Sequence, residues 1–275
     1  MVCYRGQVRK MKGVLKENVN YFMRLTDNQE IDMLPLINHD VEIRFLGSIF
    51  CVQCGRKTKK SFQQGHCFPC MRKINECGNC QLFPERCLVE EGGCPSDDWA
   101  HRQCDISHVV YLSNTSNLKV GVTGESNPIV RWIDQGAMQA VKMFETKNRY
   151  QAGLLEAVIK KKIADKTNWR TMLKQDSQYR DMHQEAEDLI SVCKSDLEPL
   201  LKRYPEHISL CINPEVVEIS YPIKDYPEKV RSLSLDKTPV ISGHLKGIKG
   251  QYWILDTGVL NVRKFSGYDI ELEVK

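Results

Sequence analysis

The sequence predicts a multi-domain protein of the α+β class. Strand-like alternation marks residues 1–50 and 205–275, cysteines crowd residues 51–106, and residues 107–204 combine two short strands with longer helical patterns. Alternating apolar and polar residues indicate half-buried strands, whereas apolar residues three and four positions apart indicate helices. A chain of 275 residues is long enough for two or three units. We therefore expect these four segments to be the structural units.

The two ends of the chain are predicted to be β structure. In the first, Val41, Ile43 and Phe45 alternate with Glu42 and Arg44, which is the period of a half-buried strand. The second contains several strand-like runs separated by glycine-containing turns. Each end is small for independent stability. We therefore expect them to pair into one small barrel or sheet, with the other two segments inserted between them.

Composition restricts the class of protein before any motif is considered. The net charge of +4 permits a polyanionic partner without requiring one. No stretch of 18 apolar residues is present, so no membrane span is expected. The first ten residues, MVCYRGQVRK, lack the apolar run of a secretion signal, so a cytoplasmic protein is expected. Clustered CxxC pairs in such a compartment favour bound metal over disulfides.

Two CxxC pairs predict a first metal site. Cys51 and Cys54 are followed, after twelve residues, by Cys67 and Cys70. Each pair can form a tight knuckle that directs two thiolates at one ion, and two knuckles complete a tetrahedral zinc site. Four thiolates leave no position for water, so we expect a structural zinc ion rather than a catalytic one.

The remaining cysteines of the same segment indicate a second metal site, whose ligands are less well determined. Four consecutive candidates are Cys77, Cys80, Cys87 and Cys94, and Cys104 is an alternative ligand. Two histidines, His101 and His108, also lie nearby. Zinc is expected, and an iron–sulfur cluster is the alternative, because both are held by four thiolates.

Basic residues surround the first pair of knuckles. Residues 51–75 contain no acidic residue. The basic residues there are Arg56, Lys57, Lys59, Lys60, Arg72 and Lys73. Together with Phe62 and Phe68, they could hold phosphates and stack bases, so we expect a nucleic-acid-binding surface of DNA or RNA. The simpler alternative is a solvated basic face over two core aromatics.

An ordered set of residues follows in the third segment. Tyr111 ends the run Val109-Val110-Tyr111, and Gly121 ends Lys119-Val120-Gly121 on the next predicted strand. Arg131, Glu156 and Asn168 follow on later predicted helices. This order and spacing resemble the GIY-YIG nuclease superfamily over about sixty residues. The stretches VYL, KVGVT, RWIDQGA and ADKTNWR also resemble an uncharacterised prokaryotic family of zinc-ribbon proteins that carry this domain.

The resemblance implies phosphodiester hydrolysis assisted by a divalent ion. Glu156 would supply a carboxylate to Mg²⁺ or Mn²⁺, and Arg131 would neutralise charge that grows on the phosphoryl oxygens. Tyr111 would act as or orient the base, and Gly121 would let the backbone pack closely beneath the site. Asn168 corresponds to the asparagine that the superfamily places about one helix further on. Each of these residues also has an ordinary structural explanation, such as a strand tyrosine or a helix cap.

Two positions depart from the superfamily pattern. Lys119 stands where a tyrosine is common, and it could lower the pKa of Tyr111 or bind phosphate. Gln135 stands four residues after Arg131, where many members have histidine, so the general base is less obvious. His108 is a possible substitute.

These observations lead to one main hypothesis and two alternatives. The main hypothesis is a zinc-containing nucleic-acid-binding protein with a metal-dependent endonuclease activity. The first alternative is a binder of nucleic acid that uses a degenerate nuclease fold without cleavage. The second is a zinc-stabilised scaffold for protein interactions.

Overall fold

The fold is of the α+β class and is built on antiparallel sheets, as the sequence predicted. The computed structural model describes residues 2–76, 80, 82–94, 96–163, 168–174 and 178–275. The strands are β1 (Val2–Gln7), β2 (Arg9–Leu15), β3 (Val19–Arg24), β4 (Glu30–Asp32), β5 (Asp40–Phe50), β6 (Lys57–Thr58), β7 (His108–Asn114), β8 (Leu118–Gly124), β9 (Gln139–Thr146), β10 (Ile208–Leu210), β11 (Val217–Glu218), β12 (Val240–Lys249), β13 (Tyr252–Leu255), β14 (Gly258–Asn261) and β15 (Tyr268–Val274). The α-helices are α1 (Phe68–Glu76), α2 (Asp97–Gln103), α3 (Pro128–Asp134), α4 (Arg149–Ile159), α5 (Trp169–Met172) and α6 (Met182–Arg203).

The main sheet joins the two ends of the chain. Its strand order is β1-β15-β5-β12-β13-β14. The alternating strand β5 lies between two C-terminal strands, and Ile43 pairs with Leu272 on one side and Ile241 on the other. Of the two expected arrangements, a barrel or a sheet, the described strands form the sheet: it stays open, with β1 and β14 at its edges, and does not close into a barrel.

A second sheet explains why the main sheet does not need to close on itself. Strands β2, β3 and β4 form this separate sheet. Met11 and Tyr21 from it share one buried core with Ile43, Leu245 and Trp253 from the main sheet. The apolar face of the main sheet is thus covered by a neighbouring layer, which removes it from water as closure would.

The third segment forms its own small sheet, in the order β10-β9-β7-β8, with β11 also paired to β9. Its central strand β7 is buried along its whole length. Val110 and Leu112 face a core made with α4 and α6, whereas Tyr111 belongs to the core shared with the main sheet. Successive side chains of a strand point to opposite faces, so Tyr111 looks away from α6 and towards α3.

Helix α3 attaches this sheet to the terminal β sheets. Trp132 and Ile133 enter the core of those sheets. Asp134 forms an ion pair with Lys10 and accepts a hydrogen bond of 2.9 Å from the Gln251 side chain. Because α3 also carries Arg131, the position of that arginine is fixed by contacts with both units.

The long helix α6 covers the opposite face of the small sheet. Met182, Ala186, Leu189, Cys193 and Leu197 are its buried residues, at the spacing of one helix face. The helix begins at Met182 and ends at Arg203. Among the helices that the structure describes, none is long and apolar enough to cross a membrane.

The cysteine-rich segment contacts both neighbouring units. Its first half continues from β5, and Ser61 donates a hydrogen bond to the carbonyl of Ser266 beside β15 (3.4 Å). Its second half lies on α4, where a Cβ added at Gly153 would come within 2.2 Å of the Glu85 backbone nitrogen. The two halves are therefore held by different parts of the protein.

Gly121 is required by the packing of Tyr111. The two residues are directly paired across β7 and β8, and a Cβ added at Gly121 would lie 2.5 Å from the Tyr111 hydroxyl oxygen. We expect Gly121→Ala to lower the free energy of unfolding by about 1–3 kcal/mol, because the buried ring has no space to move into. Urea denaturation followed by circular dichroism measures this difference.

Gly124→Ala on the same strand is the matched control. A Cβ there would meet its nearest atom, Cδ1 of Ile106, at 3.6 Å, which is ordinary contact. Its free energy of unfolding should stay within about 0.5 kcal/mol of the wild type. Equal losses in the two variants would contradict the packing argument.

Candidate functional site

The first four predicted zinc ligands come together in space. Cys51 and Cys54 lie at the end of β5 and in the turn that follows, and Cys67 and Cys70 lie at the start of α1. Their four sulfur atoms are within 4.8 Å of one another. The Cys54 and Cys67 sulfurs are 3.8 Å apart. Bonds of about 2.3 Å to a tetrahedral zinc ion require sulfurs about 3.8 Å apart, so the cluster fits zinc.

The electrostatics of these thiols also favour a bound cation. Burial raises the pKa of Cys51, but hydrogen bonds from backbone N–H groups in both knuckles bring it down to about 6. Hydrogen bonding with Cys67 and Cys54 instead raises the pKa of Cys70 to about 12. Four crowded sulfurs cannot all ionise without a positive charge between them. The cluster can therefore hold a structural zinc ion, with all four ligands supplied by the protein.

A second group of thiols lies against α4. Cys80, Cys87 and Cys104 are buried together, next to Trp99 and Tyr150. Cys94 is half-buried and lies outside this buried cluster. Cys77 is outside the described residues. Cys104, the alternative ligand, therefore lies with Cys80 and Cys87, whereas Cys94 does not.

Glu90 and Arg149 tie this cysteine group to the small sheet and its helices. The Glu90 carboxylate accepts hydrogen bonds from Asn148 (3.0 Å), Gln151 (2.7 Å) and Tyr204 (3.0 Å). The Arg149 guanidinium donates to the Cys80 carbonyl. These contacts fix the cysteine group against the start of α4. Glu156 lies about two turns further along the same helix.

Tyr111, Gln135 and Arg131 form one hydrogen-bonded chain. With the Gln135 amide oriented to satisfy both neighbours, its nitrogen donates to the Tyr111 oxygen at 2.9 Å. Its oxygen then accepts from Nε and Nη2 of Arg131, at 3.1 and 3.2 Å. Gln135 therefore connects the tyrosine to the arginine.

Glu156 lies near this chain and near a second carboxylate. Burial raises the pKa of Glu156, Lys160 lowers it, and Glu85 raises it further. Lys119 and Arg149 also lower the pKa of Glu156. Lys160 forms an ion pair with Glu85 at 3.4 Å. Glu85 was missed by sequence reasoning, since nothing in the local pattern FPERC distinguishes it from a surface acid.

Tyr111 is enclosed. Its side chain is 0% exposed and packs edge-on against Trp132, with ring centroids 5.7 Å apart. Burial raises its pKa, Arg131 and Gln135 lower it, and Glu156 raises it. The tyrosine, the arginine and the glutamate are therefore close enough to influence one another, although they come from three different elements.

Asn168 is explained by local structure. Its side-chain oxygen caps α5 by accepting from the backbone N–H groups of Arg170 and Thr171, at 3.1 and 3.3 Å. Its own N–H donates to the Ser116 hydroxyl at 3.0 Å. None of these described bonds reaches Tyr111, Arg131 or Glu156. These hydrogen bonds therefore give no support to the predicted role of Asn168 in the site.

The exposed part of Arg131 borders a cavity of about 340 Å³. Arg149, His108 and Gln103 line the same cavity, and so do Cys80 and Cys104. Burial lowers the pKa of His108 to about 4. Its Nδ1–H donates to the Ile106 carbonyl at 2.7 Å, which leaves Nε2 as the acceptor nitrogen. Two arginines and a neutral histidine therefore share one opening.

The six basic residues predicted to bind nucleic acid are all exposed. Lys59 and Lys60 line a cleft of about 700 Å³ together with Arg263 and Lys264. The other four are Arg56, Lys57, Arg72 and Lys73, and they do not line that cleft. Phe62 packs on Phe68 with ring centroids 5.6 Å apart, so these rings are partly occupied by each other.

Comparison with known proteins gives one family match. A family model described as "Protein of unknown function (DUF2797)" matches residues 38–270. No curated protein and no solved structure matches the chain significantly.

Metal content separates the two possible ligand sets of the second site. We expect about two metal equivalents per chain, one from each thiol cluster. Cys70→Ser should remove one equivalent and Cys104→Ser the other, whereas Cys94→Ser should retain both. Elemental analysis of the purified variants gives the count and also distinguishes zinc from iron.

The exposed Cys3, which lies outside both clusters, supplies the control variant Cys3→Ser. It should bind as much metal as the wild type. Loss of metal in Cys94→Ser with full retention in Cys104→Ser would show that Cys94 is the ligand instead.

Proposed function

Since the chain belongs to the DUF2797 family, whose description gives no activity, we propose its function from its own residues: it binds nucleic acid and hydrolyses phosphodiester bonds with a divalent ion. One observation carries this proposal. Gln135 joins Tyr111 on β7 to Arg131 on α3 by hydrogen bonds, and Glu156 on α4 raises the pKa of Tyr111. Their order in the sequence resembles the GIY-YIG superfamily, and their position in space agrees with a common site.

Arg131 is suited to bind the reacting phosphate. Nε and Nη2 of its guanidinium face Gln135, which fixes the direction of the side chain. The rest of the side chain borders the 340 Å³ cavity beside Arg149. Two guanidinium groups at one opening would stabilise negative charge on a bound phosphate. Such charge grows on the phosphoryl oxygens in the transition state of phosphodiester hydrolysis.

Glu156 and Glu85 are the residues that would hold Mg²⁺ or Mn²⁺. One Glu85 side-chain oxygen, Oε2, is buried without a hydrogen-bond partner. The pKa of Glu156 is raised by burial and by Glu85, so a cation between the two carboxylates would relieve an unfavourable arrangement. Such an ion would supply positive charge to the phosphate oxygens and to the attacking water.

The cysteine-rich segment has a positioning role in this proposal. Glu85 follows Pro84, whose carbonyl carbon would be 2.2 Å from a Cβ at Gly153. This contact sets the turn Pro84–Arg86 directly on α4. The nearby thiols of Cys80 and Cys87 flank that turn, so a metal bound there would hold Glu85 beside Glu156.

The second candidate function is binding without cleavage, and the burial of Tyr111 favours it. A phenol with 0% exposure and a raised pKa is poorly placed to accept a proton from water. In this case Arg131, Arg149 and Lys119 would still attract phosphate, and the carboxylates would have a structural role.

Cleavage assays distinguish the two candidates. Purified protein with Mg²⁺ or Mn²⁺ should nick supercoiled plasmid or cut a labelled RNA. Arg131→Ala and Glu156→Gln should each reduce the rate by about 100-fold or more, because each removes a group that stabilises the transition state. Gel electrophoresis over a time course measures the rates.

Glu187→Gln on the exposed face of α6 is a control that removes one carboxylate far from the proposed site. Its rate should equal that of the wild type. Cleavage by Arg131→Ala and Glu156→Gln at the wild-type rate would exclude the catalytic assignment. Binding by the wild type with no cleavage under either ion would instead support the second candidate.

A further inference from the structure

A basic groove lies between the terminal β sheets and the loop of residues 55–66, which joins the first two CxxC pairs. The 700 Å³ cleft is bordered by Lys59, Lys60, Arg263 and Lys264. A neighbouring cleft of about 490 Å³ is bordered by Arg9, Lys10, Arg24 and, again, Arg263. Gln63, Gln64 and Arg263 line both clefts. The two clefts are therefore continuous along these shared residues.

The charge of this groove is strongly unbalanced. Its lining contains seven lysines and arginines but two acids, Asp27 and Asp236. Some cations are neutralised, since Lys264 lies 3.7 Å from Asp236 and Arg24 lies 3.3 Å from Glu30. Lys59, Lys60, Arg9 and Arg263 remain as cations for which the structure describes no carboxylate within ion-pair distance.

Two arginines of the groove are held in an unfavourable environment for a cation. Burial lowers the pKa of Arg9, and the like charge of Arg24 lowers it further. Burial also lowers the pKa of Arg263. The charge of Asp134 raises this pKa, whereas the charge of Arg131 lowers it further. An anion in the groove would relieve both situations.

The zinc site supports one wall of the groove. Residues 59–66 lie between the two CxxC knuckles, and Gln63 and Gln64 adopt positive φ values of 41° and 66° at the tip. Ser61 donates to the Ser266 carbonyl, which fixes the loop beside the 3-10 helix Val262–Phe265. A zinc ion held by the four thiols would therefore stiffen this wall.

We propose that this groove binds the phosphodiester backbone of a single nucleic-acid strand and leads it from Lys59 and Lys60 past Arg263 to Arg9. This inference takes its ligand class from the proposed function and adds Arg9, Arg24, Arg263 and Lys264 to the predicted contacts. Clefts of this size enclose a few nucleotides of a single strand but not a duplex. A groove lined by cations is suited to follow the negatively charged backbone of a strand. Arg56, Lys57, Arg72 and Lys73 lie outside the groove and have no part in it.

Two triple variants test the groove. Arg24→Gln, Lys59→Gln and Lys264→Gln together remove three exposed charges from the groove lining. Lys194→Gln, Lys202→Gln and Lys229→Gln together remove three exposed charges that lie outside both clefts. All six side chains are exposed, so both proteins should fold, and thermal melts check this.

The measurement is fluorescence anisotropy with a labelled single-stranded oligonucleotide, without added Mg²⁺ or Mn²⁺. The groove variant should bind at least about tenfold more weakly at physiological salt, and its plot of log affinity against log salt should be shallower by about 2, because three contacts on a single strand are lost. The control variant should match the wild type. An equal loss in both variants, or none in the groove variant, would overturn the proposal.

Two further probes decide the ligand class. A duplex of the same length should bind more weakly than the single strand, and polyglutamate of equal charge should compete poorly. Tighter duplex binding or strong competition by polyglutamate would overturn the single-strand assignment. The binding assay does not depend on hydrolysis. Weakened binding by the groove variant, together with no cleavage in the separate cleavage assay, would retain the groove and reject the catalytic function. If the wild type binds no nucleic acid, both are rejected.

Discussion

The pairing of β5 with strands from the far end of the chain is the constraint on which the rest of the structure depends. Ile43 sits between Ile241 and Leu272, so the main sheet cannot form until the C-terminal residues are present. The loop between the first two CxxC pairs follows β5 and is consequently placed beside Ser266 and Arg263. Everything between β5 and β12 is an insertion whose two ends are fixed by this sheet.

Helix α3 then determines how the inserted unit is oriented. Its apolar residues Trp132 and Ile133 enter the terminal core, while Asp134 is bound by Lys10 and Gln251. Arg131 is the preceding residue of the same short helix and is therefore directed to the boundary between the two units. There its guanidinium contacts Gln135, the hydrogen-bond partner of Tyr111, and Arg131 borders the 340 Å³ cavity.

The thiol clusters compensate for segments that have little apolar material. A closed zinc site contributes to folding directly, because its ligands are scattered in the unfolded chain. A zinc ion in the first cluster would stiffen a loop that forms a groove wall, and the second group of thiols lies beside the turn that carries Glu85. Metal in this protein would thus act on function through the position of Arg263, Gln63 and Glu85, rather than by contact with a reacting group.

The sequence by itself determined the features that depend on neighbouring residues. The CxxC spacing identified Cys51, Cys54, Cys67 and Cys70, since a knuckle is a local turn, and alternation identified β5. Tertiary structure decided which distant groups meet: Cys104 with Cys80, Glu85 with Lys160 near Glu156, and Arg263 near Arg131. It also left the main sheet open, since β2 to β4 cover its apolar face. Such contacts follow from packing between segments far apart in the chain, and no local spacing encodes them.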